Sequence, residues 1–111
     1  MATKINADNM HFKDLNHLVS SAGDKDIVIE NTLGQRYIGT RASGKNIEVH
    51  GVPGNALGAY LNGCRITVFA NAQDAVGDTM NSGEIIIHGN CGDAAGYGMR
   101  DGKILIKGSA G

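Results

Sequence analysis

From Ile47 onward, apolar positions recur at a spacing of nineteen residues. Ile47, Ile66, Ile85 and Ile104 fall in step, and Val49, Val68, Ile87 and Ile106 follow two positions behind. Written one beneath another, the units read "IEVHGVPGNALGAYLNGCR", "ITVFANAQDAVGDTMNSGE" and "IIIHGNCGDAAGYGMRDGK", followed by the stub "ILIKGSAG". Each unit opens with period-two alternation, which predicts a strand with one face buried. No unit holds the ten or more residues at helical spacing that a βα repeat requires. The remainder is punctuated by glycine, Asn and Asp, which predicts short straight runs joined by corners. Gly58, Gly77 and Gly96 share one column and are expected to be corner residues, where the chain takes positive φ or packs tightly. One strand and its corners in nineteen residues make one coil of a parallel β-helix. Each strand then pairs with its counterpart one coil away, at about 4.8 Å. The fold class is all-β, a single-stranded right-handed parallel β-helix, the hand following from the usual crossover preference.

Upstream the pattern changes. "IVIENTLGQRYIGTRASGKN" is a degenerate unit, one residue longer, with Ile27 and Ile29 still alternating. Before it, Phe12, Leu15, Leu18 and Val19 lie at helical spacing, and Gly23 is the expected C-terminal stop. A solenoid exposes apolar core and unpaired backbone at its first coil unless something covers it. The chain therefore divides into an N-terminal capping segment with a short helix, residues 1–24, and the β-helix repeats, residues 25–111. At the far end Gly111 falls inside a repeat, so the last coil is expected to be uncapped and available for self-association.

Composition narrows the function classes. The 111 residues are enough for one domain. Ten basic and eleven acidic side chains give a formal charge of −1, with neither a basic block for nucleic acid nor an acidic arm. The N-terminus has no apolar run long enough for a signal peptide or a membrane span. Cys64 and Cys91 match no metal-ligand spacing and read as free thiols of a cytoplasmic protein. Seventeen glycines against one proline fit neither collagen nor an ordinary helical domain, which again points to a repeat.

Candidate chemistry is sparse. Gly96, Gly98 and Gly102 resemble a dinucleotide loop, but the spacing is G-x-G-x-x-x-G and a strand follows where the fingerprint needs a helix. His50 and His88 share a column with Phe69 between them, so they lie about 10 Å apart, too far for one metal ion. Asp74 and Asp93 continue a column begun by Asn55. Stacked carboxylates about 5 Å apart could hold a cation or share a proton. Side chains hydrogen-bonding the backbone at a turn are the simpler expectation. No hydrolase nucleophile signature is present, and no catalytic, cofactor-binding or metal residue is assigned.

What the strands leave outside is more informative. With Ile85, Ile87, Ile104 and Ile106 inward, Phe69, Ile86 and Leu105 face outward together. A stacked apolar patch of this kind is a candidate interface with protein partners.

The stretches "IENTLGQRYIGTRASG", "GNALGAYLNG", "ANAQDAVGDTMNSGEIIIHGN" and "GDAAGYGMRDGKILIKGSAG" closely resemble the GXGXG domain. That domain is the β-helical C-terminal part of the glutamate synthase large (alpha) subunit, and it also occurs in one of the subunits of formylmethanofuran dehydrogenase. "INADNMHFKDLNHLV" resembles the segment leading into it in glutamate synthase. The resemblance implies a right-handed β-helix that braces catalytic domains. It also implies that the glutaminase cysteine, the FMN domain and the iron–sulfur clusters lie on other parts of the system. None of these is carried by this sequence, in which Met1 is not followed by cysteine and two cysteines are too few for a cluster. The expectation is a non-catalytic scaffold of a glutamate-synthase-like complex, without a cofactor of its own and partnered by catalytic subunits. The alternatives are a scaffold like that of formylmethanofuran dehydrogenase and a small metal- or ligand-binding enzyme built on Asp74 and Asp93.

Overall fold

The computed structural model describes residues 2–110. Six strands and one helix follow in the order β1 (Ala2–Asn6), α1 (Phe12–Ser21), β2 (Asp26–Leu33), β3 (Asn46–Val52), β4 (Asn62–Val68), β5 (Ser82–Ile87) and β6 (Lys103–Ile106). The strands form one sheet in sequential order, and every neighbouring pair is parallel. Like residues pair with like along the ladder. Ile27, Ile47, Ile66, Ile85 and Ile104 form one row, and Ile29, Val49, Val68, Ile87 and Ile106 the next. This is a β-solenoid.

The columns set the stability. Both inward rows are fully buried from β2 through β5, with Ile27, Ile29, Ile47, Val49, Ile66, Val68, Ile85 and Ile87 at 0% exposure. Burying each such side chain contributes about 1.5–3 kcal/mol. Leu57, Leu61, Val76 and Met80 close the core from the opposite wall. The longer first unit is absorbed at an irregularity in β2, where the pairing shifts between Ile29 and Thr32. A similar slip lies between Asn62 and Cys64.

The sheet begins earlier than the repeat pattern predicts. Within the segment expected only to cap, β1 pairs in register with β2, from Ala2 opposite Asp26 to Asn6 opposite Glu30. The helix follows, and its apolar face is narrower than the spacing implies. Leu15 and Val19 are buried, whereas Leu18 is exposed and Phe12 sits at the rim against Tyr37 and the Arg36 guanidinium. The stop also differs. Helix α1 ends at Ala22, extended at φ −64° and ψ 134°, and its N–H still reaches the Leu18 carbonyl. Residues 23–25 bend the chain toward β2 without positive φ, so Gly23 is not needed for a left-handed turn.

Polar side chains join the helical segment to the coils. The Asn16 Oδ1 accepts the Gly39 N–H at 3.0 Å. In later coils the equivalent donors, at Gly58 and Gly77, bond the carbonyls of Ile38 and Leu57 one coil back. Asn16 thus substitutes for a coil that is not there. Gln35, buried, donates to the carbonyls of Ala7 and Met10 and accepts the Leu33 N–H at 2.7 Å.

The corners are more specialised than one glycine per coil. Three alternate residues take positive φ in each: Ala56, Gly58 and Tyr60, then Ala75, Gly77 and Thr79, then Ala94, Gly96 and Gly98. Each of the first two in a set closes an i to i+3 turn, as in Ala59 N–H to Ala56 O and Leu61 N–H to Gly58 O. The middle member also makes room. A methyl built on Gly58 would lie 2.6 Å from the Ile85 Cδ1, and one on Gly77 would lie 2.6 Å from that of Ile104.

Candidate functional site

The aspartates expected as a ladder are indeed stacked, and the side chains of Asn55 and Asp74 are engaged. Asn55 Oδ1 accepts the Asp74 N–H at 3.0 Å, and Asp74 Oδ1 accepts the Asp93 N–H at 2.8 Å. Each carboxylate or amide oxygen therefore caps the backbone one coil on, the turn role that such residues favour. The small neighbour matters, because a side chain at Gly92 would run into the Asp74 carboxylate. Among the described residues, no three His, Cys, Asp or Glu side chains converge on a point that could hold a metal ion.

A second ladder of the same design went unrecognised in the sequence. Asn71 Oδ1 accepts the Asn90 N–H at 2.8 Å, and Asn90 Oδ1 accepts the Ser109 N–H at 2.9 Å. Its signal was present, since these residues also recur every nineteen positions. Gln35 and Asn16 carry no such signal, because each acts once.

On the outer face, His50, Phe69 and His88 form a continuous stack. The Phe69 ring lies 4.8 Å from His50 and 5.1 Å from His88, with interplanar angles of 11° and 7°. His50 also approaches the Glu48 carboxylate at 3.6 Å. Beside the stack runs the row Val28, Glu48, Thr67, Ile86 and Leu105. Of the candidate interface residues, Phe69 is 47% and Leu105 46% exposed, while Ile86 is half-buried between its neighbours. The three share a face, as the alternation requires.

Neither thiol is poised for chemistry. Cys64 and Cys91 are both buried and unpaired with each other. Burial pushes the Cys64 thiol above its ordinary range, partly offset by the Lys45 N–H that it accepts and by the Lys45 charge. Burial and the Asp74 carboxylate push Cys91 the same way, against a weaker pull from the Gly92 N–H. A raised thiol is mostly protonated near neutrality and is a poor nucleophile.

The concavities are open grooves. One of about 310 Å³ lies among Glu30, Asn31, His50 and Gly51, and one of about 570 Å³ runs past Lys25, Lys45 and Arg65. In the second, Lys45 Nζ donates to the carbonyls of Ala22 and Asp24, and Arg65 pairs with Glu84 at 2.9 Å, so two of its three cations hold the fold together. The sequence Gly96-x-Gly98 is a corner, with φ of 74° and 65° leading into β6, and no helix N-terminus stands where a phosphate would sit. No helix of the described residues is long and apolar enough to cross a membrane.

Comparison with known proteins agrees with this geometry. An uncharacterized protein of Methanocaldococcus jannaschii is 39% identical over 66 residues, covering 53% of this chain and 25% of the relative. The chain thus spans about a quarter of that curated relative's length. No solved structure matches. The family model described as the GXGXG motif matches residues 23–111, all of the coils. A solenoid whose repeated glycines turn its corners is what that match covers, and the chain belongs to the GXGXG motif family, a structural domain found in glutamate synthase-type proteins.

Proposed function

We propose that this chain is a non-catalytic scaffold of a glutamate-synthase-like assembly, bracing catalytic subunits that carry out the glutaminase and glutamate-forming steps. The observation that carries the reading is the employment of its polar ladders. Asn55, Asp74, Asn71 and Asn90 each spend a side-chain oxygen on the backbone of the next coil. These four side chains are thereby used to hold coils together. Family membership supplies the glutamate synthase context. Assays of the isolated chain for glutamine hydrolysis, and for 2-oxoglutarate-dependent glutamate formation, are expected to give no turnover. Affinity capture with separately produced glutaminase and FMN-domain proteins is expected to retain them. Turnover by the chain alone, or failure to retain either protein, contradicts the proposal.

A further inference from the structure

The outer sheet face carries a charge pattern that its position in the solenoid makes directional. On β2 the outward residues are Asp26, Val28 and Glu30, two carboxylates flanking an apolar side chain. On β6 and the residue after it they are Lys103, Leu105 and Lys107, two ammonium groups flanking an apolar side chain. Asp26 and Lys103 occupy one position of the ladder from β2 to β6, and Val28 and Leu105 another, while Glu30 stands where the β2 pairing shifts and Lys107 follows directly after β6. Midway between them, on β4, stand Thr67 and, just beyond the strand, the exposed Phe69.

We infer that this face is self-complementary and pairs with a second copy of the chain about a two-fold axis lying along β4. Such an axis keeps positions along the strand and reverses the order of coils. Asp26 then faces Lys103 of the second copy, Glu30 faces its Lys107, and Val28 faces its Leu105. All three contacts recur in the other direction, as an isologous interface requires. Thr67 meets its own equivalent at the centre, and Phe69 meets its own equivalent on the axis at one end of the face. Arg65 also lies near the axis opposite its own equivalent, but each is neutralised by its own Glu84 at 2.9 Å.

The charges disfavour the neighbouring register toward β3. Moving the axis half a coil toward β3 sets Asp26 against Glu84 and leaves Lys103 and Lys107 facing Ala2 and Asn6 of β1. Charge repulsion and unmatched cations disfavour that arrangement. With the axis on β4, strand β1 and its outward Lys4 overhang the pair. Glu48 is the one mismatch. Its carboxylate turns to His50 of its own chain, and across the interface it faces Ile86.

The size of the face sets the strength. Five strands about 4.8 Å apart and five residues long give on the order of 300–400 Å² per copy. Stable complexes bury about 800 Å² per partner, so the pair is a weak one, with Kd on the order of 100 µM. This inference does not depend on the scaffold proposal.

Sedimentation velocity at low salt, from about 10 µM to about 1 mM, tests it, since opposite charges attract most where screening is least. The expected result is a monomer–dimer equilibrium that Glu30→Lys and Lys107→Glu each weaken about tenfold. An equimolar mixture of those two variants is expected to dimerise as the original protein does, because one then offers cations wherever the other offers carboxylates. Glu48→Val is expected to tighten the dimer by removing the mismatched charge. The inference is overturned by a monomer throughout the range. It is equally overturned by single variants that dimerise normally, or by a mixture no better than its components.

Discussion

The first and last coils among the described residues bury the same apolar rows differently. At the N-terminal end the core is closed. Strand β1 pairs with β2, Leu15 and Val19 of α1 cover the first apolar rows, and Asn16 accepts the amide that an earlier coil would otherwise receive. At β6 the same apolar rows are half open, with Ile104 and Ile106 only partly buried. The residues are alike, so the difference comes from neighbours. An isoleucine with a coil on each side is worth more than the same isoleucine with a coil on one, and stability along a solenoid is a sum of nearest-neighbour terms.

Truncation should expose this gradient. Ile66→Ala removes a side chain packed from both sides at 0% exposure and is expected to cost about 3–4 kcal/mol. Ile106→Ala, at the open edge, is expected to cost about 1 kcal/mol, because its site is already partly hydrated. Urea unfolding of the two variants makes the comparison, and equal losses would mean that the ends do not differ as described. A smaller effect of opposite sign separates corners from strands and turns. Ala75 holds φ at 59°, which costs a residue with a Cβ about 1 kcal/mol. Ala75→Gly is therefore expected to stabilise by about 0.5 kcal/mol, after allowing for the extra freedom glycine gains when unfolded. Ala72→Gly, at a buried position without positive φ, is expected to destabilise by about 1 kcal/mol. Thermal melts of the pair should move in opposite directions.

The repeated parts of the molecule were legible in the sequence because repetition amplifies weak signals. Ile66 or Gly77 alone says little, but four isoleucines and three glycines in step define a coil. The aspartate ladder was legible for the same reason, including its turn role. Features that occur once were not. Strand β1 has only the short alternation of "ATKIN" and none of the glycine punctuation. The helix looked broader than it is, because spacing cannot show that Leu18 faces away from the coil. Gln35 and Asn16 act through contacts 23 to 28 residues away in sequence, which no local pattern encodes. The corner alanines illustrate a different failure. They recur as faithfully as the glycines, yet alanine is not a positive-φ signal, and only the backbone shows that Ala56, Ala75 and Ala94 share the glycines' conformation. For the candidate site, the sequence located the outward face through Phe69, Ile86 and Leu105. The opposed charges become meaningful only once β2 and β6 are placed four strands apart in one sheet, on either side of β4.

The glycine column turns the coil and admits a core isoleucine. Equilibrium urea unfolding of Gly58→Ala, Gly77→Ala and Gly96→Ala tests it most directly. All three hold positive φ, so each should lose about 0.5 kcal/mol from the backbone, the αL cost less glycine's extra freedom when unfolded. The added methyl meets the fully buried Ile85 at Gly58 and the half-buried Ile104 at Gly77, both at 2.6 Å, while at Gly96 its nearest neighbours stand at 3.6 Å. Overpacking adds about 1–2 kcal/mol where the neighbour cannot move. The predicted order of destabilisation is Gly58 first, Gly77 next and Gly96 last. Unchanged midpoints, or the largest loss at Gly96, would mean that the glycine column does not make room for the core isoleucines.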